Sequence, residues 1–362
     1  MRTKAVVAGV VLMGAGAAAA GADAAGEASA GAAKPRIEVT GFVDLYYTYD
    51  FNRPVDHANW FTGVGTSARR DNEFAINLAQ VDFVMAPAPV GFHLAAGYGT
   101  ALDVVHGAEA EAWRNLVQAS IQYQTGVGRG LYIEAGVFPS HIGFETLQSK
   151  DNWNYTRSWL GEFSPYYQTG VKVACPFGKH WSTQVHILNG WQMIADNNRG
   201  KTLGWQFAYA ADTVSLSFNG LVGPELTDDD HDLRALIDTV AVWRATTDWT
   251  FALSFDLGGQ EQPSGGDARW EGVGLYARLA PPGSRTALAL RAEYYDDEDG
   301  AISGTPQILR EFTATLEVRP VDHLILKIEG RYDRSSADVF AGDAVRDHRD
   351  QALLLVGAVA AF

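Results

Sequence analysis

The chain has 362 residues, of which 47% are hydrophobic and 20% charged, and its formal net charge is -15 at pH 7. Its mean hydropathy of -0.10 excludes a bundle of transmembrane helices, since each such helix needs about 20 consecutive apolar residues. The acidic balance also excludes nucleic-acid binding through the phosphate backbone, which requires basic patches. Because Cys175 is the single cysteine, neither a disulfide framework nor a thiolate metal centre can form within the chain.

The N-terminus has the pattern of an export signal. Arg2 and Lys4 precede an uncharged stretch, residues 5–22, made almost wholly of Ala, Val, Gly, Leu and Met. A basic start, an apolar segment and a small-residue ending are typical of a secretory signal peptide. We therefore predict a signal peptide over residues 1–22, a flexible lead over 23–35 and a single domain over 36–362.

From residue 37 onward the sequence alternates apolar and polar residues with a period of two. Clear examples are residues 37–49, 117–123 and 312–318. Such segments run to roughly 10–14 residues, the length that a tilted strand needs to cross a bilayer, whereas soluble strands average about 5–6. The pattern predicts transmembrane strands with one lipid-facing side. In 117–123 the residues on that side are Val117 and every second residue after it.

Short, turn-like links alternate with longer polar links along the chain. The short links are 87–91, 125–130, 176–179, 210–213, 245–248, 281–285 and 320–322. The longer links are 51–72, 105–113, 140–164, 193–201, 224–231, 260–268, 296–306 and 333–349. Short periplasmic turns and long external loops are the rhythm of an outer-membrane barrel. We predict an all-β fold, a transmembrane antiparallel β-barrel of about 16 strands (14–18) with both termini periplasmic.

The last strand carries a second outer-membrane feature. Residues 352–362 alternate toward the terminal Phe362, with Leu354 and Val356 on the same face. This ending resembles the signal by which outer-membrane proteins reach their assembly machinery. We therefore expect the barrel-assembly machinery as a partner through Phe362, together with outer-membrane lipid and lipopolysaccharide.

Polar residues on the opposite face of the strands would line the barrel interior. Charges of both signs there imply water, because unpaired charges in a dry core are very costly. The channel-lining candidates on strands are Asp44, Asp82, Glu134, Lys172, Arg234, Arg244, Arg278, Arg291, Lys327 and Arg331. The arginines and Lys327 would form a positive wall in the C-terminal half, but ion pairing across adjacent strands explains the same pattern.

The sequence contains no catalytic motif: a P-loop, G-x-S-x-G, H-E-x-x-H and a dinucleotide-binding fingerprint are all missing. The nine histidines are scattered, and none pairs with a second ligand at metal spacing. We therefore predict that the protein is not an enzyme and uses no cofactor or metal.

Three stretches resemble the OmpL-like β-barrel porins of the outer membrane. They are 152–158 (NWNYTRS), 164–172 (SPYYQTGVK) and the first strand at 41–47 (GFVDLYY). The resemblance implies an outer-membrane channel in the bacterial outer membrane. It also implies that Asn152, Tyr155, Arg157 and Ser158 are loop residues of functional interest. Porins are commonly trimeric, so a homotrimer is a candidate assembly, although the sequence displays no interface.

The link 140–164 combines length with aromatic and charged residues. In porins one long loop often folds inward and sets the constriction, and this link has the composition for that role. An external cap is the equal alternative. The constriction candidates in the link are Glu145, Lys150, Asp151, Asn152, Tyr155, Arg157 and Ser158.

Together these features predict an outer-membrane, porin-like channel for passive diffusion of small hydrophilic solutes or ions. The alternative is a non-conducting adhesive or structural outer-membrane barrel with a plugged lumen, which the long external loops suit equally well.

Overall fold

The computed structural model describes residues 36–61, 63–343 and 347–362. The predicted signal peptide and most of the flexible lead lie outside these residues. Sixteen strands, each antiparallel to its neighbours in the chain, form a closed barrel in which the first strand pairs with the last. The prediction of an antiparallel barrel of about 16 strands is confirmed.

The strands follow one another around the barrel in chain order. They are β1 (Glu38–Asp50), β2 (Phe74–Met85), β3 (Val90–Tyr98), β4 (Leu116–Gln124), β5 (Tyr132–Pro139), β6 (Tyr167–Phe177), β7 (Trp181–Leu188), β8 (Thr202–Ala210), β9 (Val214–Pro224), β10 (Leu233–Arg244), β11 (Trp249–Glu261), β12 (Asp267–Leu279), β13 (Thr286–Asp297), β14 (Gln307–Val321), β15 (Leu324–Ser335) and β16 (Asp350–Ala361). Two short helices, α1 (Thr100–Val105) and α2 (Trp159–Phe163), and a 3-10 turn (Glu111–Trp113) lie in the links. Among the described residues, no helix has the length and hydropathy to cross a membrane.

The barrel has two different ends. The start of β1, the end of β16 and all the short links lie at one end, which we call the turn end, and the long links lie at the other, the loop end. At the seam the backbone N–H of Phe362 donates to the Gly41 carbonyl at 2.9 Å, and the Gly41 N–H donates back at 3.2 Å. Closure removes the free sheet edge, so every strand has a hydrogen-bonded neighbour on both sides.

Alternation assigns each side chain to the outer surface or the interior. On β16, Leu354 and Val356 point outward and are each 50% exposed, while Leu353 and Leu355 on the opposite parity are buried. On β15 four of the six inward residues are charged and buried, among them Lys327 and Glu329. An apolar outer surface matches lipid tails, and the polar inner surface needs hydrogen-bonding partners inside the barrel.

Val117 departs from the predicted alternation. A β-bulge between β3 and β4 pairs Ala95 with Gln118 and Ala96 with Leu116, so that Val117 has no opposite residue. The extra residue turns Val117 inward, where it packs against an apolar cluster of the interior that contains Phe42. The prediction that Val117 faces lipid is therefore wrong.

The largest apolar core lies inside the loop end rather than between two sheets. Its aromatic members come from four links and the adjoining strands, and include Trp60, Trp159, Phe163, Tyr295 and Phe340. Trp60 and Trp159 meet edge to face with ring centroids 5.8 Å apart. The loops thus pack on one another as a folded core would, which restricts their motion.

Candidate functional site

The link between β5 and β6, residues 140–166, folds into the barrel, and we call it the lumen loop. Tyr155, Arg157 and Trp159 each have 0% exposure, and strand residues contact two of them: Asp44 accepts from the Tyr155 hydroxyl and Arg331 stacks over Trp159. Of the two alternatives left open by the sequence, an inward-folded loop and an external cap, the structure has the inward-folded loop.

Polar contacts within the lumen loop fix its local path. The Asn152 side chain accepts from the Thr146 N–H and donates to the Thr146 carbonyl, both at 2.8 Å. The Arg157 guanidinium donates to the same carbonyl at 3.0 Å and to the Ser149 hydroxyl at 2.8 Å. Ser158 caps α2, its Oγ accepting from the Gly161 N–H at 2.9 Å. These side chains replace the backbone ladder that a strand would supply.

Basic residues of β13 and β15 hold the loop against the wall. Arg291 donates to Glu311 at 2.9 Å, to Glu145 at 2.7 Å and to the Thr156 carbonyl at 2.7 Å. Lys327 donates to the carbonyls of two lumen-loop residues, Ser149 at 2.7 Å and Asn152 at 2.6 Å. Such charge-assisted bonds offset the desolvation of the buried cations.

Arg331 belongs to the same group of anchors. It pairs with Asp333 at 2.7 Å, donates to the Arg157 carbonyl and stacks over Trp60 at 4.4 Å and Trp159 at 5.1 Å. Its guanidinium therefore contacts both the lumen loop and the first long link, and ties the loops to the strand.

Acidic residues anchor the loop backbone in the same way. The Glu329 carboxylate accepts from the N–H groups of Tyr155 at 2.5 Å and Thr156 at 2.9 Å. Glu293 accepts from the first two N–H groups of α2, those of Trp159 and Leu160, both at 2.6 Å. Each carboxylate satisfies two backbone donors that would otherwise be buried without a partner.

Asp44 of β1 holds the loop from the other side of the barrel seam. It accepts from the Tyr155 hydroxyl at 2.7 Å and from the Asn77 amide at 2.9 Å. Gly357 of β16 lies beneath the same tyrosine, and a Cβ there would collide with the Tyr155 ring. The absence of a side chain at Gly357 is thus what lets the ring lie flat on the wall.

Both ends of the lumen loop meet the wall at buried polar groups. The Gly143 N–H donates to Asp238 at 3.2 Å and the Ser164 hydroxyl donates to Asp256 at 3.0 Å. His141 lies between Gln168 at 3.1 Å and the Gly220 carbonyl at 3.3 Å. Burial lowers the pKa of His141 to about 4, because a charged imidazole would lose its hydration there.

Glu162 connects the lumen loop to the first long link. Its carboxylate accepts from the N–H groups of Gly65 at 3.0 Å and Thr66 at 3.1 Å, and from the Thr66 hydroxyl at 2.8 Å. Burial raises the pKa of Glu162 even though these donors favour the ionised form. The contact fastens two loops together at the loop end.

A cavity of about 540 Å³ remains beside the lumen loop at the turn end, and we call it the turn-end cavity. Its polar lining comes from β1 to β6 and from the lumen loop: Thr40, Gln80, Asp82, His93, Gln118, Gln122, Tyr132, Glu134, Gln148, Lys150, Asp151 and Lys172. Within this lining Glu134 and Lys172 face each other across β5 and β6 and form an ion pair of 2.8 Å.

The structure divides the sequence-predicted residues into three groups. Asp44, Glu145, Asn152, Tyr155, Arg157, Ser158, Arg291, Lys327 and Arg331 form the contact between the lumen loop and the wall. Asp82, Glu134, Lys150, Asp151 and Lys172 line the turn-end cavity. Arg234, Arg244 and Arg278 join neither group: they contact Gln260 at 2.9 Å, Ser215 at 3.5 Å and Glu317 at 3.2 Å, respectively.

The positive wall proposed from the sequence does not face the cavity. Arg291 pairs with Glu311 of the adjacent strand, and Arg331 pairs with Asp333 two residues along its own strand. Pairing and burial under the lumen loop account for these cations, as the alternative interpretation of the pattern held. The sequence did not single out Glu293, Glu329 or Gly357 as anchors. Their inward parity was visible, but nothing in the sequence connects them to residues 155–160.

Sixteen strands with an inward-folded loop define the architectural class of the porins. Solved structures of that class resemble this chain. The anion-selective porin from Comamonas acidovorans has a TM-score of 0.61 at 13% identity, covering 91% of this chain and 100% of that chain. OmpT of Vibrio cholerae has a TM-score of 0.60 at 9% identity, covering 92% and 99%. Salmonella typhi OmpF, in complex with daunomycin, has a TM-score of 0.60 at 11% identity, covering 91% and 98%. At these identities the likeness concerns the fold alone.

Among curated proteins, none matches this chain in sequence. The model of the family described as "Putative beta-barrel porin-2, OmpL-like" matches residues 36–362, the entire barrel. The chain belongs to this family of β-barrel porins, as the resemblance at 41–47, 152–158 and 164–172 indicated.

Proposed function

We propose that this protein is a bacterial outer-membrane porin that passes small hydrophilic solutes by diffusion, without catalysis. The lumen loop covers the inner face of β10 to β16, which we call the covered wall. Passage is therefore confined to the side of β2 to β6, which we call the cavity wall. The porin family and the barrel fold support the channel, and the placement of the lumen loop supports the confinement.

One observation carries this proposal. The turn-end cavity shares Val117, Pro139 and Gln148 with a second, smaller space of about 90 Å³ deeper in the barrel. The polar groups of that inner space include His106, Gln206 and Ser217. Unfilled volume, lined by both polar and apolar groups, thus extends from the turn end toward the middle of the barrel, where β8 to β10 also contribute to its lining.

In this proposal the turn end faces the periplasm and the loop end faces the exterior. The apolar outer surface contacts lipid, and lipopolysaccharide surrounds the external loops. The exposed ring of Phe362 at the end of β16 is available to the barrel-assembly machinery. Export requires cleavage of the predicted signal peptide near residue 22. A homotrimer is proposed as the assembly, because one of the similar solved structures is described as a trimer form.

A cysteine-accessibility experiment in planar bilayers tests the route. In a Cys175→Ser background, Gln122→Cys places a thiol in the turn-end cavity, and Ser254→Cys places one on the covered wall, where Ser254 is buried. A charged methanethiosulfonate reagent should reduce single-channel conductance in the Gln122→Cys protein and leave the Ser254→Cys protein unchanged. Equal effects, or an effect at Ser254→Cys alone, would contradict the route along the cavity wall.

The second candidate function, a plugged barrel that does not conduct, is favoured by the aromatic core at the loop end. Phe61 stacks on Trp159 at 5.4 Å, and Phe340 lies 6.1 Å from Phe61, so links from three parts of the chain meet inside the loop end. Absence of conductance from a barrel that is folded and heat-modifiable would favour this candidate.

A further inference from the structure

Each charged side chain of the turn-end cavity already contacts a partner. Three carboxylates line it, those of Asp82, Glu134 and Asp151, together with the ammonium groups of Lys150 and Lys172 and the imidazole of His93. Asp82 contacts His93 at 2.8 Å, Glu134 contacts Lys172 at 2.8 Å, and Asp151 contacts Lys150 at 2.7 Å. A solute in the cavity meets two ion pairs and a carboxylate, that of Asp82, which is already hydrogen-bonded to His93 and Gln80.

The cations that would give the lumen a net positive charge do not line the turn-end cavity. Arg291, Lys327 and Arg331 are buried by the lumen loop and bonded to carboxylates or backbone carbonyls. Their charges reach the cavity only through packed protein. Among the described side chains of the cavity, no charged group is therefore left without an ionic or hydrogen-bonded partner for an incoming ion.

Four glutamines supply most of the remaining hydrogen-bonding capacity. Gln80, Gln118, Gln122 and Gln148 all line the cavity. The amide nitrogens of Gln118 and Gln122 donate to Glu134 at 3.3 Å, and that of Gln148 donates to Gln80 at 3.3 Å. In the described part of the chain, the carbonyl oxygens of Gln118, Gln122 and Gln148 accept no hydrogen bond, so they are available to a hydroxyl donor.

Apolar surface lies next to these amides. Phe42, Val84, Val117 and Pro139 line the same cavity, and its volume of about 540 Å³ falls within the roughly 300–1,000 Å³ of small-molecule sites. A ligand with apolar C–H faces and several hydroxyl groups can use both surfaces. An ion would lose hydration without gaining an unpaired charge.

We propose that the turn-end cavity is a weak binding site for uncharged, hydroxyl-rich solutes of the size of a mono- or disaccharide. The site selects them over charged solutes of the same size. This inference rests on the proposed channel in assigning the site a role in passage, while binding itself requires only the cavity. Gln118, Gln122 and Gln148 accept from the solute hydroxyls, and the apolar lining contacts its C–H faces.

Equilibrium binding to the refolded protein in detergent micelles tests the site without requiring permeation. Titration calorimetry with sucrose should give saturable binding, while glucose should bind at least about threefold more tightly than gluconate or glucosamine, which are similar in size but charged. Gln148→Leu, and separately the pair Gln118→Leu and Gln122→Leu, should weaken sucrose binding about fivefold. Gln262→Leu is the matched control, because Gln262 lies in the link 262–266 at the loop end.

Each outcome bears on a different proposal. Equal binding of the charged and uncharged solutes, or unchanged binding in both glutamine variants, would overturn the inference while leaving the channel intact. Sucrose binding by a protein that is silent in planar bilayers would support the site and count against the channel. Gln148→Leu keeps the inference testable if the double variant does not fold, because Gln148 bonds only to Gln80 through its side-chain nitrogen.

Discussion

The covered wall and the cavity wall obey the same alternation but differ in regularity and in what lies on them. Strands of the covered wall have 12 to 15 residues, whereas β3, β4 and β5 have 9, 9 and 8. Buried charged residues of the covered wall such as Arg291 are bonded to the lumen loop, whereas Glu134 and Lys172 of the cavity wall are bonded to each other beside open space. Inward polarity therefore does not by itself identify a water-filled surface.

The difference follows from which wall receives the lumen loop. Backbone N–H and carbonyl groups of residues 149–160 need partners because the loop has no ladder of its own. Inward carboxylates and cations of the covered wall supply those partners, so charge there stabilises a fold. On the cavity wall the same residue types line an open cavity.

The largest effect should come from breaking the covered wall at Arg291. Replacing it by Met in the variant Arg291→Met leaves Glu145 and Glu311 buried without their cation, which should lower the free energy of unfolding by about 3–5 kcal/mol. The urea midpoint in micelles measures this. Arg269→Met removes an exposed arginine of β12 and should change the free energy of unfolding by less than about 0.5 kcal/mol. Equal effects of the two variants would contradict the assigned role of Arg291.

Acid should lower the free energy of unfolding through His141, which lies near the start of the lumen loop. Burial holds the pKa of His141 at about 4 in the folded state, below its ordinary value of 6.5. Above pH 6.5 the imidazole is neutral in both the folded and the unfolded state, so the free energy of unfolding has its full value there. As pH falls from 6.5 to about 4, only the unfolded state binds the proton, so the free energy of unfolding decreases by about 1.4 kcal/mol for each pH unit. Urea midpoints across this range should show the slope, and His141→Gln should reduce it. His231→Gln, in an exposed loop, should keep it. A slope unaffected by His141→Gln would assign the titration to another group.

A smaller effect is expected when only one hydrogen bond between the lumen loop and the barrel is removed. Tyr155→Phe takes the hydroxyl away from buried Asp44 and should cost about 1–3 kcal/mol of unfolding free energy. Tyr294→Phe also removes a bond to a carboxylate, Asp296, but at a partly exposed site, so its cost should be below that of Tyr155→Phe. The pair of urea midpoints decides whether burial beneath the lumen loop makes the difference.

The smallest effect is expected from adding a methyl group to a strand glycine. Two such glycines, one under the lumen loop and one facing outward, distinguish contact with the loop from a general effect of substitution in a strand. Gly357→Ala puts a methyl group against the Tyr155 ring and should destabilise by about 1 kcal/mol. Gly330→Ala, on neighbouring β15, meets no atom within 4 Å and should be neutral or slightly stabilising. Thermal stability followed by gel mobility measures both. Destabilisation by Gly330→Ala of the same size would indicate a general intolerance of β-strand substitution instead.

The barrel was predictable because its determinants are local. Alternation in 37–49 and 312–318 assigns faces residue by residue, and the lengths of the links set the order of turns and loops. Where a local irregularity intervenes, as at the bulge beside Val117, the period continues in the sequence but not in the structure. Alternation carries no signal for one extra residue.

The partners of the lumen loop were not predictable for a physical reason. Glu329 lies 174 residues from Tyr155, and Glu293 lies 134 residues from Trp159, so no sequence spacing relates them. The composition of the link and the family resemblance both indicated Tyr155 and Arg157, but neither indicates which strand residues they contact. Only the closed barrel brings these distant strands around one loop.

Tyr155 touches both sides of the barrel seam, which has a consequence for folding. Its hydroxyl bonds to Asp44 on the first strand, and its ring rests on Gly357 of the last, so the complete contact exists only after these strands have paired. Docking of the loop and closure of the cylinder therefore reinforce each other as one cooperative event. With partners 111 and 174 residues away, closure has a high contact order and should be slow. In the closed barrel, Tyr155 contacts both strands of the seam, so separation of β1 from β16 also requires the lumen loop to detach from them.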